Sequence, residues 1–416
     1  MPTRTQLPGR RCPRPRTASA GFTLVELMVA MTGGLFLSLA VMALSRDFSK
    51  FSQQSIRVSN ATLASANGFE RLSGDLARAG HLASPNITSD PRVCNRPTAA
   101  WPAGLQQMRA IVLGTNPSEL ANTELEDVDP APMSITIAGA LDMTEELTAT
   151  VISSLNGVTS VGIRVTTPAA SRIGLKEGDN ALNTTLLQAI FVPGGVGRAI
   201  RIAQNDGLEQ YAVVAAVQQN PLRLVLAPNP AVSFRTNANA AQCGVLGLCT
   251  GCGINVVNFV RYRLRPLLTG SVDYQQLRTA SQAAGLPYEA GRVELVRDEL
   301  TPDGVTVING TEELVAEYAT DLQFVVSQLE PGLTLSNPVA ATINNTYPST
   351  HLLRGVRARF STRSREADRT ADVAGASAGQ YRIRLPLGAG SNPVPYARVR
   401  SLQADISLRN LEGSNW

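Results

Sequence analysis

Glu26 is the side chain whose chemistry fits its surroundings least. It is the single charged residue among the 23 residues from Phe22 to Leu44. A carboxylate within an apolar helix costs roughly 2.5 kcal/mol or more in a lipid environment unless it is neutralised or finds a partner. An ionisable group in such a run is therefore a candidate functional residue, and its expected chemistry is the capture of that partner.

Four cysteines form a second set of residues that could do chemistry. Cys94 stands alone, whereas Cys243, Cys249 and Cys252 cluster in a glycine-punctuated stretch. An even set predicts two disulfide bonds in an oxidising compartment, with three connectivities open. We favour one bond within the cluster and one from Cys94 to the third clustered cysteine. The alternative is a four-thiolate metal site, which an oxidising compartment and the lack of a neighbouring histidine in the sequence disfavour.

Three further patterns are weaker. The acidic run Glu124–Asp129 could hold Ca²⁺, but its spacing fits no EF-hand loop, which favours a solvated loop. The glycine-rich Pro193–Arg198 lacks the Gly-Lys-Ser/Thr ending of a phosphate loop and is typical of a hairpin turn. His81 and His351 have no recognisable acid or nucleophile pattern around them. We therefore expect no catalytic set, no metal and no cofactor.

A basic run lies in the C-terminal third of the chain, formed by Arg354, Arg357, Arg359, Arg363, Arg365 and Arg369. Glu366 and Asp368 offset part of its charge. If Leu353–Thr362 is a strand, Arg357, Arg359 and Arg363 need not all share a face. A solvated edge that discourages strand-to-strand aggregation is the favoured interpretation of the run. A contact patch for an acidic neighbouring subunit or for DNA is the alternative.

One long helix, from Phe22 to about Leu82, must position Glu26. Its apolar part is long enough to cross a bilayer core of about 30 Å. Gly33 and Gly34 each weaken the helix by about 1 kcal/mol, and Gly80 and Pro85 mark its end. Beyond the apolar part, residues spaced by three, four or seven predict a face that packs on a globular head; they are Phe48, Phe51, Val58, Thr62, Ala66, Phe69, Leu72 and Leu76.

The stretch Gly21-Phe22-Thr23-Leu24-Val25-Glu26-Leu27 resembles the class III signal of type IV pilins and pseudopilins. The match combines an arginine-rich leader, a small residue at the cut, an aromatic start and an uninterrupted apolar helix. The resemblance implies cleavage after Gly21 by a prepilin peptidase, N-methylation of Phe22 and a role for Glu26 in assembly. A secretory signal, the alternative, would place its small-residue cleavage site after the apolar run.

The same resemblance implies that the helix can loosen around Gly33 and Gly34 when subunits enter a filament. Close helix packing in the membrane is the alternative reason for two small residues there. It also implies that Glu26 pairs with the Phe22 amine of a neighbouring subunit. Such a pair would remove an unpaired carboxylate from an apolar medium, and breaking one side of a buried pair costs about 3–5 kcal/mol.

Composition indicates a folded body outside the cytoplasm. The chain has 416 residues, 44% of them hydrophobic and 17% charged, with a formal net charge of +4. The expected leader, residues 1–21, holds five arginines and Cys12, and without it 32 basic side chains face 33 acidic ones. This balance makes a nucleic-acid partner unlikely. The positive leader stays cytoplasmic, so the body is expected across the membrane.

Short alternating runs beyond the helix predict antiparallel strands. The candidates before the cysteine cluster are Ile111–Leu113, Ser134–Ile137, Val161–Val165, Leu187–Val192, Ala199–Ile202, Tyr211–Val214 and Leu222–Leu226. Asn156-Gly157 and Asp206-Gly207 are turn signals between them. After the cluster, the β-rich stretches are Asn255–Leu264, Arg292–Glu299, Val305–Thr311, Asp321–Gln328, Leu353–Thr362 and Arg398–Asn410, with a short helix expected over Glu312–Ala319.

The expected fold class is α+β, a lollipop in which a long N-terminal helix carries a large antiparallel β-rich head. We divide the chain into a leader (1–21), an N-terminal helix (22–82, with 22–44 in the membrane or filament core), a β-rich insertion or first part of the head (83–235) and a pilin-like C-terminal head (236–416). Several downstream segments resemble PilW-type minor pilins, namely Tyr262–Leu264, Glu294–Asp298, Leu314-Val315, Asp321–Phe324, Leu352–Phe360 and Arg398–Leu411. That resemblance leaves roughly 86–235 unexplained.

These resemblances imply a non-enzymatic minor pilin, a low-copy subunit that primes assembly of a type IV pilus and lies at or near its tip. A head this large would crowd if repeated along a filament. A minor pseudopilin of a type II secretion system is the alternative, and a membrane-anchored binding protein or enzyme is a third. The implied partners are a prepilin peptidase, the inner membrane, other minor pilins, the major pilin and a tip adhesin. The head is expected in the periplasm before assembly and outside the cell afterwards.

Overall fold

The computed structural model describes residues 23–115, 132–235, 243–246, 249, 251–267, 275, 293–329, 335–336, 352–364, 382–384 and 396–412. Several residues singled out from the sequence lie outside these ranges: Gly21, Phe22, Glu124–Asp129, His351, Arg365 and Arg369. The chain forms two compact units, residues 1–56 and residues 57–416.

The first unit contains the N-terminal part of helix α1 (Leu24–Ala77), which is 54 residues long. Its apolar segment, Leu24–Ser49, has 26 residues, and all of its side chains are exposed. At 1.5 Å per residue this segment is about 39 Å long, enough to cross a bilayer core. An exposed apolar surface of that size requires apolar surroundings, either lipid or other protein.

In the second unit, α1 buries one face. Ser65, Leu72 and Leu76 are fully buried, and Asp75 is 1% exposed. Gly68 lets the helix come close to the sheet, since a Cβ at this position would lie 3.0 Å from the Ala316 Cβ. The helix ends at Ala77, about five residues earlier than predicted, and Gly80 follows with a positive φ of 70°.

The predicted packing face of the helix is only partly right. Leu72 and Leu76 are buried as expected, and Phe69 packs against the core at its edge. Thr62 and Ala66 are instead exposed, and so are Phe48 and Phe51, while the Val58 side chain lies outside the described part. The buried face also includes the polar residues Ser65 and Asp75, which bind polar partners on distant strands. A search for regularly spaced apolar residues does not find such positions.

The strands lie almost entirely in antiparallel sheets. They are β1 (Ile111–Thr115), β2 (Met133–Gly139), β3 (Leu147–Leu155), β4 (Val158–Ile163), β5 (Ala199–Ala203), β6 (Glu209–Gln218), β7 (Arg223–Leu226), β8 (Phe234–Arg235), β9 (Val245–Leu246), β10 (Gly253–Pro266), β11 (Val293–Leu300), β12 (Glu313–Ala316), β13 (Ala319–Leu329), β14 (Leu335–Ser336), β15 (Leu353–Arg363), β16 (Arg382–Arg384) and β17 (Tyr396–Ser407). In the part of the chain that the structure describes, four shorter α-helices accompany them: α2 (Ala103–Gln106), α3 (Pro168–Arg172), α4 (Asn180–Phe191) and α5 (Arg409–Glu412).

Strand β10 organises the larger sheet because its two halves have different neighbours. Its first half pairs with β3 on one edge and β5 on the other, which closes the ring β10-β3-β4-β7-β6-β5. Its second half pairs with β2 and β11, which extend the sheet to β1 and β12. β10 thus links strands from 83–235 with strands from 236–416, and the division of the head at residue 235 stays a prediction.

The strands of the closed ring and helix α4 share a core of apolar side chains. They include Leu147, Val161, Phe191, Ile200 and Ile254, each at most 1% exposed. A separate core lies where α1 packs against the sheets, with Leu72, Leu76, Tyr262, Leu295 and Phe360 among its members. A second sheet, in the order β14-β13-β15-β17-β16, supplies part of that core.

Two sequence-based assignments of secondary structure are wrong. Leu187–Val192, predicted as a strand, lies largely in helix α4, where Asn183, Leu187 and Phe191 are buried at intervals of four residues. The Asp179 side chain caps this helix by accepting a hydrogen bond from the Leu182 amide at 3.0 Å. Glu312–Ala319, predicted as a short helix, contains strand β12, because pairing with β11 supplies its backbone hydrogen bonds.

The stretch Val305–Thr311 also differs from its predicted extended form, since it is mostly turns with an isolated bridge from Leu300 to Val307. The other candidate strands within the described ranges are found close to their predicted positions. The α+β fold class, an N-terminal apolar helix followed by a large antiparallel β-rich domain, is confirmed.

Candidate functional site

Helix α1 begins with a capping box built from Thr23 and Glu26. The Thr23 backbone N–H donates to Glu26 Oε2 at 3.0 Å, and the Thr23 hydroxyl donates to the same oxygen at 3.0 Å. In return, the Glu26 backbone N–H donates to Thr23 Oγ1 at 3.3 Å. Two N–H groups that have no partner inside the helix are thus bound reciprocally.

The capping box explains how the subunit holds a carboxylate at the start of an apolar helix. Glu26 lies in the first turn, where the partial positive charge of the helix N-terminus also favours an anion. The carboxylate therefore has local hydrogen-bond donors before any neighbouring molecule approaches. It stays exposed, so a cation from outside the subunit has access to it.

Gly33 and Gly34 lie within the helix and do not interrupt it. A Cβ built on either residue would have open space around it, with no atom within 4 Å apart from the adjacent residues and the nearby backbone of its own helix. This open space is compatible with loosening of the helix in a filament and with close helix packing in a membrane. Both remain expectations for these glycines.

The other end of α1 is held by a buried ionic cluster that the sequence did not reveal. The Tyr262 hydroxyl donates to Asp75 Oδ2 at 2.7 Å, and Arg297 Nε donates to the same oxygen at 2.8 Å. The second arm of Arg297 donates to Asp142 Oδ1 at 2.7 Å. The side chains of Asp75 and Arg297 are 1% and 5% exposed. Asp75 on the helix thus forms a buried charge pair with Arg297 and a hydrogen bond with Tyr262, both on strands of the body.

Burial and charge act on this cluster in opposite directions. Burial disfavours the Arg297 cation, but the Asp75 and Asp142 carboxylates outweigh that effect and raise the pKa of Arg297. Burial also raises the pKa of the Tyr262 phenol, and the neighbouring Asp75 carboxylate reinforces the shift. Tyr262 is therefore a neutral donor and Arg297 a cation at neutral pH.

The cluster extends to the closed ring through Asn258 on β10. The Asn258 amide donates to Glu299 Oε1 at 2.7 Å and to Asp142 Oδ2 at 3.3 Å. Arg198, which directly precedes β5, donates to the Glu299 carboxylate. A continuous series of hydrogen bonds therefore runs from α1 to the ring.

The sequence contained one signal for this cluster. It was the acidic residue Asp75, which lies between Leu72 and Leu76 on the buried side of the helix.

The four cysteines of the body are paired in the structure. Cys94 is joined to Cys243, with 149 residues of sequence separation, and Cys249 is joined to Cys252. Their Cα–Cα distances are 5.2 Å and 5.7 Å, within the usual range for disulfides. Within the described ranges, no group of three or more His, Cys, Asp or Glu residues could hold a metal ion.

The basic run is used largely for contacts inside the second sheet. Strand β15 pairs with β17 in a regular register, which puts Arg357, Arg359 and Arg363 on one face of β15. The sequence alone did not predict whether they share a face. Arg357 pairs with Asp405 and Arg359 with Asp321, each at 2.7 Å. The Arg363 guanidinium lies 4.9 Å from the centre of the Tyr318 ring. These pairings reduce the positive charge left for an acidic partner or DNA.

Two other sequence candidates lie in or beside turns. His81 is part-buried, and its backbone N–H bonds the Arg78 carbonyl at 2.9 Å in the turn after α1. Pro193–Gly195 forms a short 3-10 turn between α4 and β5, not a hairpin between strands. Arg198, at the end of that glycine-rich stretch, belongs to the buried cluster.

Comparison with known proteins identifies the N-terminal segment. A family model for the prokaryotic N-terminal methylation motif matches residues 16–43, which contain Gly21, Phe22 and Glu26. No curated protein and no solved structure is significantly similar to the chain. The matched segment begins before the capping box and ends inside the exposed apolar part of α1. The chain therefore carries the class III prepilin signal of type IV pilin-like proteins.

Proposed function

We propose that this protein is a minor pilin of the PilW type, a low-copy subunit that primes assembly of a type IV pilus and lies at or near its tip. The observation that carries the proposal is the prepilin methylation motif at the start of a 54-residue helix, with Glu26 in its first turn. The size of the unit that follows, residues 57–416, favours a subunit used once or a few times per filament.

In this proposal, a prepilin peptidase cleaves after Gly21 and the new N-terminal Phe22 is methylated. The apolar segment first lies in the inner membrane, with the body in the periplasm. During assembly, contacts with the major pilin and other minor pilins replace lipid around the segment. Glu26 then exchanges donors of its own capping box for the Phe22 amine of a neighbour. A tip adhesin is a further candidate partner.

The first test is intact-mass and N-terminal peptide analysis of the protein from inner membranes and from sheared surface filaments. We expect N-methylated Phe22 in both fractions, with much less protein in the filaments. A processed form confined to the cell envelope would instead favour a minor pseudopilin of a type II secretion system. An unprocessed N-terminus, or a cut after the apolar segment, would contradict both assignments.

Replacing the residue at the cleavage site gives a sharper test. A bulky residue at Gly21 should leave full-length precursor in the membrane, because the peptidase requires a small residue before the cut. The matched control is Gly21→Ala, which keeps a small side chain. Normal trimming of the bulky variant would refute the assignment of this site.

The assembly role of Glu26 is tested by Glu26→Ala. We expect the variant to be processed and to accumulate in the membrane, but to be lost from sheared filaments. The reason is that the Phe22 amine of a neighbour would enter an apolar core without its counter-ion, at a cost of about 3–5 kcal/mol. Wild-type amounts of Glu26→Ala in filaments would show that Glu26 is not needed for assembly.

A further inference from the structure

The β3–β4 hairpin of the closed ring ends in an exposed aliphatic pair. Leu155 is 75% exposed and Val158 is 51% exposed. They flank a tight Asn156-Gly157 turn whose two residues have φ of 52° and 79°, the geometry of a rigid two-residue hairpin loop. Their register pairs them directly across the two strands. The two aliphatic side chains therefore lie side by side on one face of the tip.

The hairpin has no charged side chain anywhere from Leu147 to Ile163. Its strand edges thus lack the charges that usually keep exposed β-structure apart from other surfaces. The next cross-strand pair on the face of Leu155 and Val158 is Ser153 and Ser160. The tip consequently changes from aliphatic to hydroxyl side chains over two residues, or about 7 Å.

A cation lies at the level of the serine pair. Arg223 Nη1, from β7, is 3.3 Å from Ser160 Oγ and 3.5 Å from Ser153 Oγ. Arg223 is partly exposed, and its guanidinium contacts these two neutral hydroxyls. The order along the hairpin is therefore an aliphatic tip, then hydroxyl groups and one guanidinium.

This order matches the layers at the surface of a phospholipid bilayer. Apolar groups of peripheral proteins enter about 5–10 Å into the boundary between head groups and acyl chains. At that depth, the arginine one layer behind the tip would lie among the lipid phosphates, which guanidinium groups bind with good geometry. A protein partner would more often present aromatic anchors or charge pairs at such a site.

We propose that the β3–β4 tip is a second membrane contact of this protein, in which Leu155 and Val158 enter the bilayer surface and Arg223 binds lipid phosphate. The contact goes beyond the proposed function, since a minor pilin and a pseudopilin need only the apolar helix for anchoring. It would give the β-rich body its own affinity for phospholipid.

The test uses the full chain with Cys12→Ser, so that a single added cysteine takes an environment-sensitive fluorophore under non-reducing conditions. The probe is attached at Leu155→Cys, and the protein is reconstituted in vesicles of phosphatidylcholine and phosphatidylglycerol. Protein-free vesicles of the same composition are added in a second arm of the experiment. The tip can then contact either the bilayer that holds the helix or the bilayer of an added vesicle. We expect blue-shifted emission and quenching by lipids with brominated acyl chains.

Val305→Cys is the matched control. Val305 is also an exposed aliphatic residue in a tight turn, 71% exposed, but its neighbour Asp303 places a carboxylate beside it. We expect its label to keep the emission of a water-exposed probe in both arms. Equal emission and equal quenching at the two positions would overturn the proposal.

Binding measurements separate lipid from a protein partner. With the helix already reconstituted in vesicles, Leu155→Ser and Val158→Thr should each reduce binding of the added protein-free vesicles about tenfold, because each removes an aliphatic group from the second bilayer. Arg223→Gln should remove the preference for phosphatidylglycerol, whereas Arg223→Lys should keep part of it. Unchanged binding of all variants would contradict the proposal. So would a blue shift at position 155 that needs no lipid and rises with protein concentration, since it would identify a second copy as the occupant.

Discussion

The two ends of helix α1 each hold a carboxylate near apolar residues, and the two carboxylates find their partners in different ways. Glu26 is bonded by Thr23, three residues away, and remains exposed. Asp75 is buried and is bonded by Tyr262 and Arg297, 187 and 222 residues away. A locally bonded carboxylate is free to exchange its partner, whereas a buried one bonded across the fold fixes the helix to the body.

This difference fits the function that we propose for the protein. In that proposal the N-terminal end moves from lipid to a filament core, and a partner within one helical turn travels with it. The C-terminal end would meanwhile stay fixed to the body. A buried charge pair suits that end because a shifted helix would leave two charges without partners.

The largest effect is expected from breaking the buried pair with Asp75→Ala. Removal of the carboxylate takes the acceptor from Arg297 Nε and the closer acceptor from the Tyr262 hydroxyl, which keeps only its 3.4 Å contact with the Arg71 carbonyl among those the structure describes. This loss should lower the free energy of unfolding by about 3–5 kcal/mol. Urea denaturation of the protein in detergent, followed by intrinsic fluorescence, measures the loss.

Glu70→Ala is the matched control for that experiment, because Glu70 lies on the exposed face of the same helix. We expect it to change stability by less than about 0.5 kcal/mol. The double variant Asp75→Leu with Arg297→Met should recover much of the lost stability, as it leaves no buried cation unpaired. Equal losses for Asp75→Ala and Glu70→Ala would show that the buried pair does not hold the helix.

A smaller effect is expected from removing the local cap with Thr23→Ala. The loss of an N-cap side chain costs about 1 kcal/mol, and here it should fray the first turn of α1 without unfolding the body. Hydrogen exchange at the Glu26 amide, which donates to Thr23 Oγ1, should speed up in detergent, while exchange around Asp75 stays unchanged. Thr23→Ser, which keeps the hydroxyl, should restore slow exchange. Equal exchange in wild type and Thr23→Ala would contradict the capping box.

A pH-dependent effect is expected at Asp303, a locally bonded carboxylate in the body. Burial alone would raise the pKa of Asp303, but donors from Thr301, Thr306 and Val305 outweigh it and lower the pKa to about 2. Because the folded-state pKa lies below the ordinary value of 3.8, the stabilisation is fully present above that value and is lost as the pH falls towards 2.

Urea midpoints of wild type and Asp303→Asn should therefore differ at neutral pH and converge as the pH falls below about 4. The asparagine keeps one oxygen acceptor but has no charge to lose. If the difference between the two urea midpoints stays constant across this pH range, the hydrogen bonds to the Asp303 carboxylate do not lower its pKa.

The sequence by itself determined the features that depend on neighbours along the chain. The apolar segment, the motif around Glu26 and most strands follow from composition, spacing and turn residues within short windows. The Thr23–Glu26 capping box was also readable in principle, since its two members are three residues apart. Glu26 was singled out, although its partner Thr23 was not.

Only the tertiary structure decided the features that depend on distant neighbours. Strand pairing with β11 overrode the helical pattern of Glu312–Ala319, and burial against the ring made Leu187–Phe191 part of a helix. The closure of the ring by β10 and the pairing of Asp75 with Arg297 join residues far apart in the chain. The spacing of apolar residues predicts which face of a helix or strand can be buried. The partner of a buried charge depends instead on which strands lie next to it in the folded protein.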